Sequence, residues 1–259
     1  MKSTLSVPIF STDDVSVLIP AFNAQNTIQR AVDSVLKVGN LPKEVIIYDD
    51  ASTDHTLAVI EKLYGEIKKV KVITAEYNLG AGIARRRLLE KATGSLIAFL
   101  DADDMWLNNK LSKQIDVIND GQTDLCICAY KIYDESNQYI GERAPPKKIN
   151  YITMHLANWI PTSMVLFKAN LNNSQLMPSL RQRQDYAFWL SLLRSNPKMK
   201  ISVISESLGV YYRQHNSLSA NKLTNLKLNY SVFRTQVGYN IVLSMLLVCI
   251  NVLTRMMRA

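Results

Sequence analysis

At 259 residues, 47% hydrophobic and 20% charged, the chain is long enough to bury a large core and too apolar to be disordered. The formal net charge of +8 suits nucleic acid, an anionic membrane surface or a phosphate-bearing substrate. No run of Lys and Arg interleaved with aromatics marks a nucleic-acid groove, so nucleic acid drops out of the expected partners. Cys126, Cys128 and Cys249 lack ligand-like pairing, and Met1 to Ser16 holds no apolar stretch of signal-peptide length. The chain is therefore expected to work in a reducing compartment, on the side of the membrane where it was made.

The first element is the β-branched run Val15-Ser16-Val17-Leu18-Ile19, stopped by Pro20. A helix follows, with Ile28, Ala31, Val32, Val35 and Leu36 at helical spacing and Gly39 placed to end it. Glu44-Val45-Ile46-Ile47-Tyr48 is a second strand running into Asp49-Asp50, and Leu57, Ala58, Ile60 and Leu63 mark a second helix. The third unit is Val70-Lys71-Val72-Ile73, the turn Asn78-Leu79-Gly80-Ala81-Gly82 and a helix to about Ala92. A buried strand, Ser95-Leu96-Ile97-Ala98-Phe99-Leu100, then ends in Asp101-Ala102-Asp103-Asp104. Strands alternating with helices at short intervals predict a largely parallel α/β sheet with helices on both faces.

Two strands of such a sheet ending in acidic clusters are expected to lie side by side and to deliver Asp50 and Asp103 to one edge, where open α/β sheets bind ligands. Crowded carboxylates need a counter-charge, and a hard divalent cation with oxygen ligands supplies one. Asp104 is expected to cap the next helix, which the pattern of Trp106, Leu107, Leu111, Ile115 and Ile118 starts at Trp106. Arg86 and Arg87 are expected to face solvent. Further on, Asp124 to Tyr130 and Pro161 to Phe167 read as strands, as do the separate runs Lys200 to Ile204 and Leu208 to Arg213. Asp185 opens a helix with the apolar stripe Tyr186, Trp189, Leu190 and Leu193.

Taken together, Val17-Leu18-Ile19-Pro20-Ala21-Phe22-Asn23, Asp49-Asp50-Ala51-Ser52-Thr53-Asp54, Asn78 with Gly80 and Arg85, and Phe99-Leu100-Asp101-Ala102-Asp103-Asp104 resemble the family-2 glycosyltransferases of the GT-A fold. The resemblance implies a GT-A, Rossmann-like domain over 1–219, with a nucleotide-sugar half at about 14–120 and an acceptor half at about 121–219. It implies that Pro20, Phe22, Asp50, Arg85 and Asp101 hold the donor nucleotide, that Asp103 holds Mn²⁺ or Mg²⁺, and that Arg213 and His215 reach the diphosphate or the metal. It places the catalytic base on Asp185 of Gln184-Asp185, where the family carries Glu-Asp. Ala51 stands where the family usually has Gly, which matters only if the turn needs a positive φ. The expected activity is inverting transfer of a hexose or N-acetylhexosamine, with glucose the best guess, from a UDP-sugar to a lipid-linked glycan acceptor in O-antigen or other surface-polysaccharide synthesis. A sugar nucleotidyltransferase and an inactive GT-A scaffold are the rivals; the first lacks its Gly-rich basic loop after the opening strand.

Residues 220–259 are expected to form an apolar helical tail. Gln236 to Thr254 contains no charged residue, and Arg234, Arg255 and Arg258 flank it. Val237 to Leu253 is near the lower length limit for a spanning helix, so the tail is expected to lie on the inner-membrane surface, at its cytoplasmic face. Packing on the core, or on a second copy in a homodimer, is the alternative.

Overall fold

The computed structural model describes residues 9–37, 41–171, 174–213 and 222–256; Gly39 and His215 lie outside the described residues. The first half alternates strictly: β1 (Val15–Ala21), α1 (Ile28–Leu36), β2 (Glu44–Asp49), α2 (Thr56–Tyr64), β3 (Val70–Thr74), α3 (Ala81–Lys91) and β4 (Leu96–Phe99). Its strands pair in parallel in the order β3-β2-β1-β4, so their carboxyl ends share one edge. β2 and β4 are not the neighbours that the sequence led us to expect. β1 runs between them, so the two acidic ends flank the Pro20–Phe22 segment, two strand spacings or about 10 Å apart.

The second half extends the same sheet. β5 (Met105–Trp106), α4 (Lys110–Asn119), β6 (Leu125–Asp134), β7 (Tyr139–Arg143), α5 (Tyr151–Met154), β8 (Val165–Lys168), α6 (Gln184–Ser195) and β9 (Ile201–Arg213) follow in order. β8 joins β4 antiparallel and brings in β6, then β9, then β5. Trp106 thus lies in a two-residue strand paired with Gly209, and the helix expected there starts only at Lys110, after Asn109 in the left-handed region. The two runs expected as separate strands form one strand, β9, whose register shifts against β6 near Ala129.

Each face of the sheet is covered. Ile28, Val32 and Val35 of α1, Ile60 of α2 and Ile115 and Ile118 of α4 pack with Val17, Ile19 and Ile47 on one side. Leu88 of α3 and Phe188, Trp189 and Leu192 of α6 pack with Leu18, Ile46 and Phe99 on the other. The Phe99 ring meets Phe188 and Trp189 edge-on at 6.3 and 6.4 Å, contacts worth about 1 kcal/mol each beyond burial. This cluster matters for function, because it ties the strand carrying Asp101 to the helix carrying Asp185.

At the opposite edge, Glu44 is buried beneath Ser16, Thr93 and Lys71. Burial alone would raise its carboxyl, yet the bonds from Lys71, Ser16 and Thr93 hold it down at about 2.

Beyond β9 lie α7 (Lys222–Ser231) and α8 (Ile241–Met256), joined by a π-type turn at Val232–Val237. The uncharged stretch is therefore interrupted: Gly238 turns with φ +86, and Val232, Phe233 and Val237 are buried in the main core. Phe233 stacks on His155, whose ring hydrogen-bonds Tyr239 Oη at 3.0 Å. No helix among the described residues is long and apolar enough to cross a membrane.

Candidate active site

The turns after β1 and β2 are stitched together by their own short polar side chains. Asn23 N–H donates to Ser52 Oγ and Thr53 N–H to Asn23 Oδ1, both at 2.9 Å, while Ala24 N–H reaches Thr56 Oγ1 at 2.7 Å. Asp49 serves this lock, accepting from Ser52 Oγ at 2.5 Å. Asp50 points the other way. It accepts Leu79 N–H at 2.9 Å and Gly80 N–H at 2.7 Å, so its two oxygens hold the turn that opens α3. Each oxygen keeps a second lone pair for a ligand donor. Phe22, at 47% exposure, is no core aromatic; its ring stands free on the edge beside half-buried Pro20. Ala51 has φ +57, so the turn does need a positive φ and Ala bears a left-handed cost of about 1 kcal/mol there.

The end of β4 is arranged differently. Asp101 is paired with buried Arg85 of α3. Burial opposes the Arg85 charge, but Asp101, Asp185 and Asp103 together keep the guanidinium firmly protonated. Arg85 Nε and Nη1 have no hydrogen-bond partner among the described residues. Burial, then the neighbouring Asp101, pushes the Asp103 carboxyl up to about 6, against the pull of Arg30 and Arg85. Asp104 caps no helix. It is buried, accepts from Ser163 Oγ at 2.5 Å and from Tyr212 N–H at 3.4 Å, and is pushed well up by burial and by Asp103 and Asp101.

Asp185 occupies the first turn of α6, behind Arg183 in the left-handed region. Its Oδ2 accepts from Asn158 Nδ2 at 2.8 Å. Asp185 also supports the Arg85 charge, so one guanidinium feels acidic groups from two elements 84 residues apart in sequence. The segment before α6 is anchored on α3. Arg86, expected in solvent, donates through Nε and Nη2 to Met177 O, whereas Arg87 is exposed beside Glu90. Arg181 donates to Asn78 Oδ1 and O at 3.0 Å each. Gly82 permits this docking, since a Cβ there would sit 2.3 Å from Pro178 O.

Arg213 ends β9, exposed, one residue after the Tyr212 N–H that reaches Asp104. Among the described residues no three His, Cys, Asp or Glu side chains form a ready metal cage. The oxygen-only set at the β4 end nevertheless suits a hard cation, with substrate oxygens completing the shell as Mg²⁺ sites allow. Burial first, and then the neighbouring carboxylates, raise Asp103 and Asp104, and such a cation would favour their charged forms.

The residues that sequence reading missed are those with no local signature. Ser163, in the turn before β8, accepts Asp101 N–H at 3.0 Å while donating to Asp104, and so fixes the acidic loop from both sides. Arg30 donates to Asp103 O at 2.7 Å and lies 3.5 Å over the Tyr212 ring. Asn158 is the third. Each acts across a long sequence separation, and only the tertiary fold brings them in.

Residues 16–173 match the family model described as Glycosyl transferase family 2. The chain belongs to glycosyl transferase family 2. Among family relatives, the Escherichia coli protein named UDP-Glc:alpha-D-GlcNAc-diphosphoundecaprenol beta-1,3-glucosyltransferase WfgD is 33% identical over 220 residues, 84% of each chain. WfaP of Escherichia coli, with the same printed activity, is 33% identical over 216 residues, 82% of each chain. The crystal structure of S. aureus TarS in complex with UDP-GlcNAc superposes with a TM-score of 0.68 at 20% identity, covering 93% of this chain and 72% of that one. That likeness shows the shared GT-A fold. Family membership makes this protein a glycosyltransferase.

Proposed function

We propose that the protein transfers a hexose, glucose by preference, from a UDP-sugar to a hydroxyl of a lipid-diphosphate-linked glycan, with inversion and with the help of Mn²⁺ or Mg²⁺. The observation that carries this reading is the gathering of Asp101, Asp103 and Asp185 around the buried Arg85. The names of WfgD and WfaP support UDP-glucose as donor and an undecaprenyl-diphosphate-linked sugar as acceptor. Such an acceptor belongs to O-antigen or related polysaccharide synthesis, at the cytoplasmic face of the inner membrane.

The residues divide the work along the sheet edge. Phe22 offers a flat face for the base, and Asp50, already fixed by two backbone N–H groups, can accept an imide N–H with a remaining lone pair. Arg85 brings a permanent charge to the diphosphate, with its Nε and Nη1 unpartnered among the described residues. Asp103, with Asp101 nearby, would hold the divalent cation, which when bound stabilises the charge that builds on the departing diphosphate. Asp185, held by Asn158, removes the proton of the acceptor hydroxyl as its oxygen attacks the anomeric carbon. A single carboxylate suffices for one direct displacement, and that displacement inverts the anomeric centre.

The test is UDP release and product formation by purified protein given UDP-glucose, Mn²⁺ and a GlcNAc-diphospholipid, with a panel of other UDP-sugars beside it. Turnover abolished by a chelator and restored by Mn²⁺ is the expected result. UDP binding without turnover across the whole panel would contradict the reading and favour an inactive scaffold.

A further inference from the structure

The side chains of α8 are distributed inside out. Val242, Met245, Leu246, Leu253 and Met256 recur at helical spacing and are 54–76% exposed. Ser244 and Asn251 lie two and nine positions on from Val242, roughly 200° and 180° round the helix, and both are buried. Asn251 Nδ2 donates to His155 O and to Leu247 O, and Asn251 Oδ1 accepts from Asn229 Nδ2 at 3.1 Å. The inward face therefore joins Ser244 and Asn251 to Leu247 and Val248, which pack on the core, while the outward face is an exposed apolar stripe where a helix on a water-soluble core would carry polar residues. Ile152, 76% exposed, and Leu156, 38% exposed, flank in sequence the His155 that Asn251 grips.

Charge says what covers the exposed stripe. After Glu206 the sequence contains no Asp or Glu, and it carries six basic residues, Arg213, Lys222, Lys227, Arg234, Arg255 and Arg258. A second copy docked on this face would bring one acid-free, basic region against another. An anionic lipid surface matches both the apolar stripe and the charge. The length agrees: 16 residues make a helix of about 24 Å, short of a hydrocarbon core of about 30 Å, so the helix lies in the interface.

We propose that the outer face of α8 is the surface by which the protein docks on an anionic bilayer. The segment that α8 grips at His155 continues to Asn158, which holds Asp185, so docking sets the bilayer beside the acceptor side of the cleft. That orientation rests on the acceptor reading given above; the docking itself does not.

The experiment is co-sedimentation of the full chain with phosphatidylglycerol-containing vesicles and with phosphatidylcholine vesicles, alongside velocity sedimentation without lipid. The wild type is expected to pellet with the anionic vesicles, less so at high salt. Val242→Glu/Leu246→Glu should weaken that binding by at least about tenfold, since two apolar contacts become charges of the wrong sign. Lys227→Glu should weaken binding to anionic vesicles alone, while Leu63→Glu on α2 should bind as the wild type does. Unchanged vesicle binding by the double variant would overturn the proposal. So would a lipid-free dimer that the same two substitutions dissociate, because a second copy would then own the face. UDP affinity, titrated separately on each variant, reports on the donor site alone, so a failure there is distinct from a failure to dock.

Discussion

The ends of β2 and β4 carry similar acidic sequences, yet the fold treats them in opposite ways. Asp49 and Asp50 at the end of β2 are satisfied by hydrogen-bond donors: Ser52 for one, the Leu79 and Gly80 amides for the other. Asp103 and Asp104 at the end of β4 are crowded with Asp101, and burial and mutual repulsion push both upward. An acidic cluster whose charges are met by backbone donors can serve as a rigid recognition edge. One whose members are buried and crowded together is instead eased by a cation or ligand that offsets their charge.

Removing the Asp103 charge should have the largest effect. Asp103→Asn is expected to lower kcat by about 10³-fold, the several kcal/mol that a divalent cation supplies at a leaving group, measured as UDP release at saturating Mn²⁺. Wild-type turnover in that variant would break the contrast between the two strand ends. Asp185→Asn should lower kcat by about 10²- to 10⁴-fold with UDP affinity unchanged, because a general base acts only in the chemical step. If UDP binding fell in parallel, Asp185 would be a structural cap instead.

A smaller effect is expected in stability, far from the ligand edge. The Glu44 carboxyl sits at about 2 in the folded protein, below its ordinary 4.5, so its contribution is complete above pH 4.5 and is lost as pH falls from there toward 2. The contribution is about 3 kcal/mol. Glu44→Gln should therefore flatten the acid limb of urea-unfolding stability; an unaltered limb would place the acid sensitivity elsewhere. The smallest change is Ala51→Gly. It relieves the left-handed φ at the β2 end but loosens the unfolded chain, for a net gain of roughly 0.5 kcal/mol by the same measurement. A loss there would mean that the Ala51 methyl contributes packing the backbone cost conceals.

Much of this arrangement is written locally in the chain. The β-branched runs, the helical spacing of Ile28, Val32 and Val35, and the carboxylates at strand ends each follow from a few consecutive residues, so the α/β order is legible. The interposition of β1 between β2 and β4 is not, because strand order depends on which edges pair and no residue pattern states it. The same holds for Met105–Trp106: two residues have no period of their own, and pairing with Val210 and Gly209 a hundred residues later makes them a strand. Asp104 looks like a cap in sequence, and only the arrival of Ser163 and Tyr212 reveals it as buried. Along α8, apolar residues are readable as such, but which face carries Ser244 and Asn251 inward depends on where His155 stands.

The contrast between the two acidic ends is tested most directly by titrating Mn²⁺ into the UDP-saturated protein by calorimetry, comparing wild type, Asp103→Asn and Asp50→Asn. The account predicts that Asp103→Asn loses the Mn²⁺ heat while Asp50→Asn, once its weaker UDP binding is saturated, retains it. Loss of Mn²⁺ binding in Asp50→Asn together with its retention in Asp103→Asn would contradict the account.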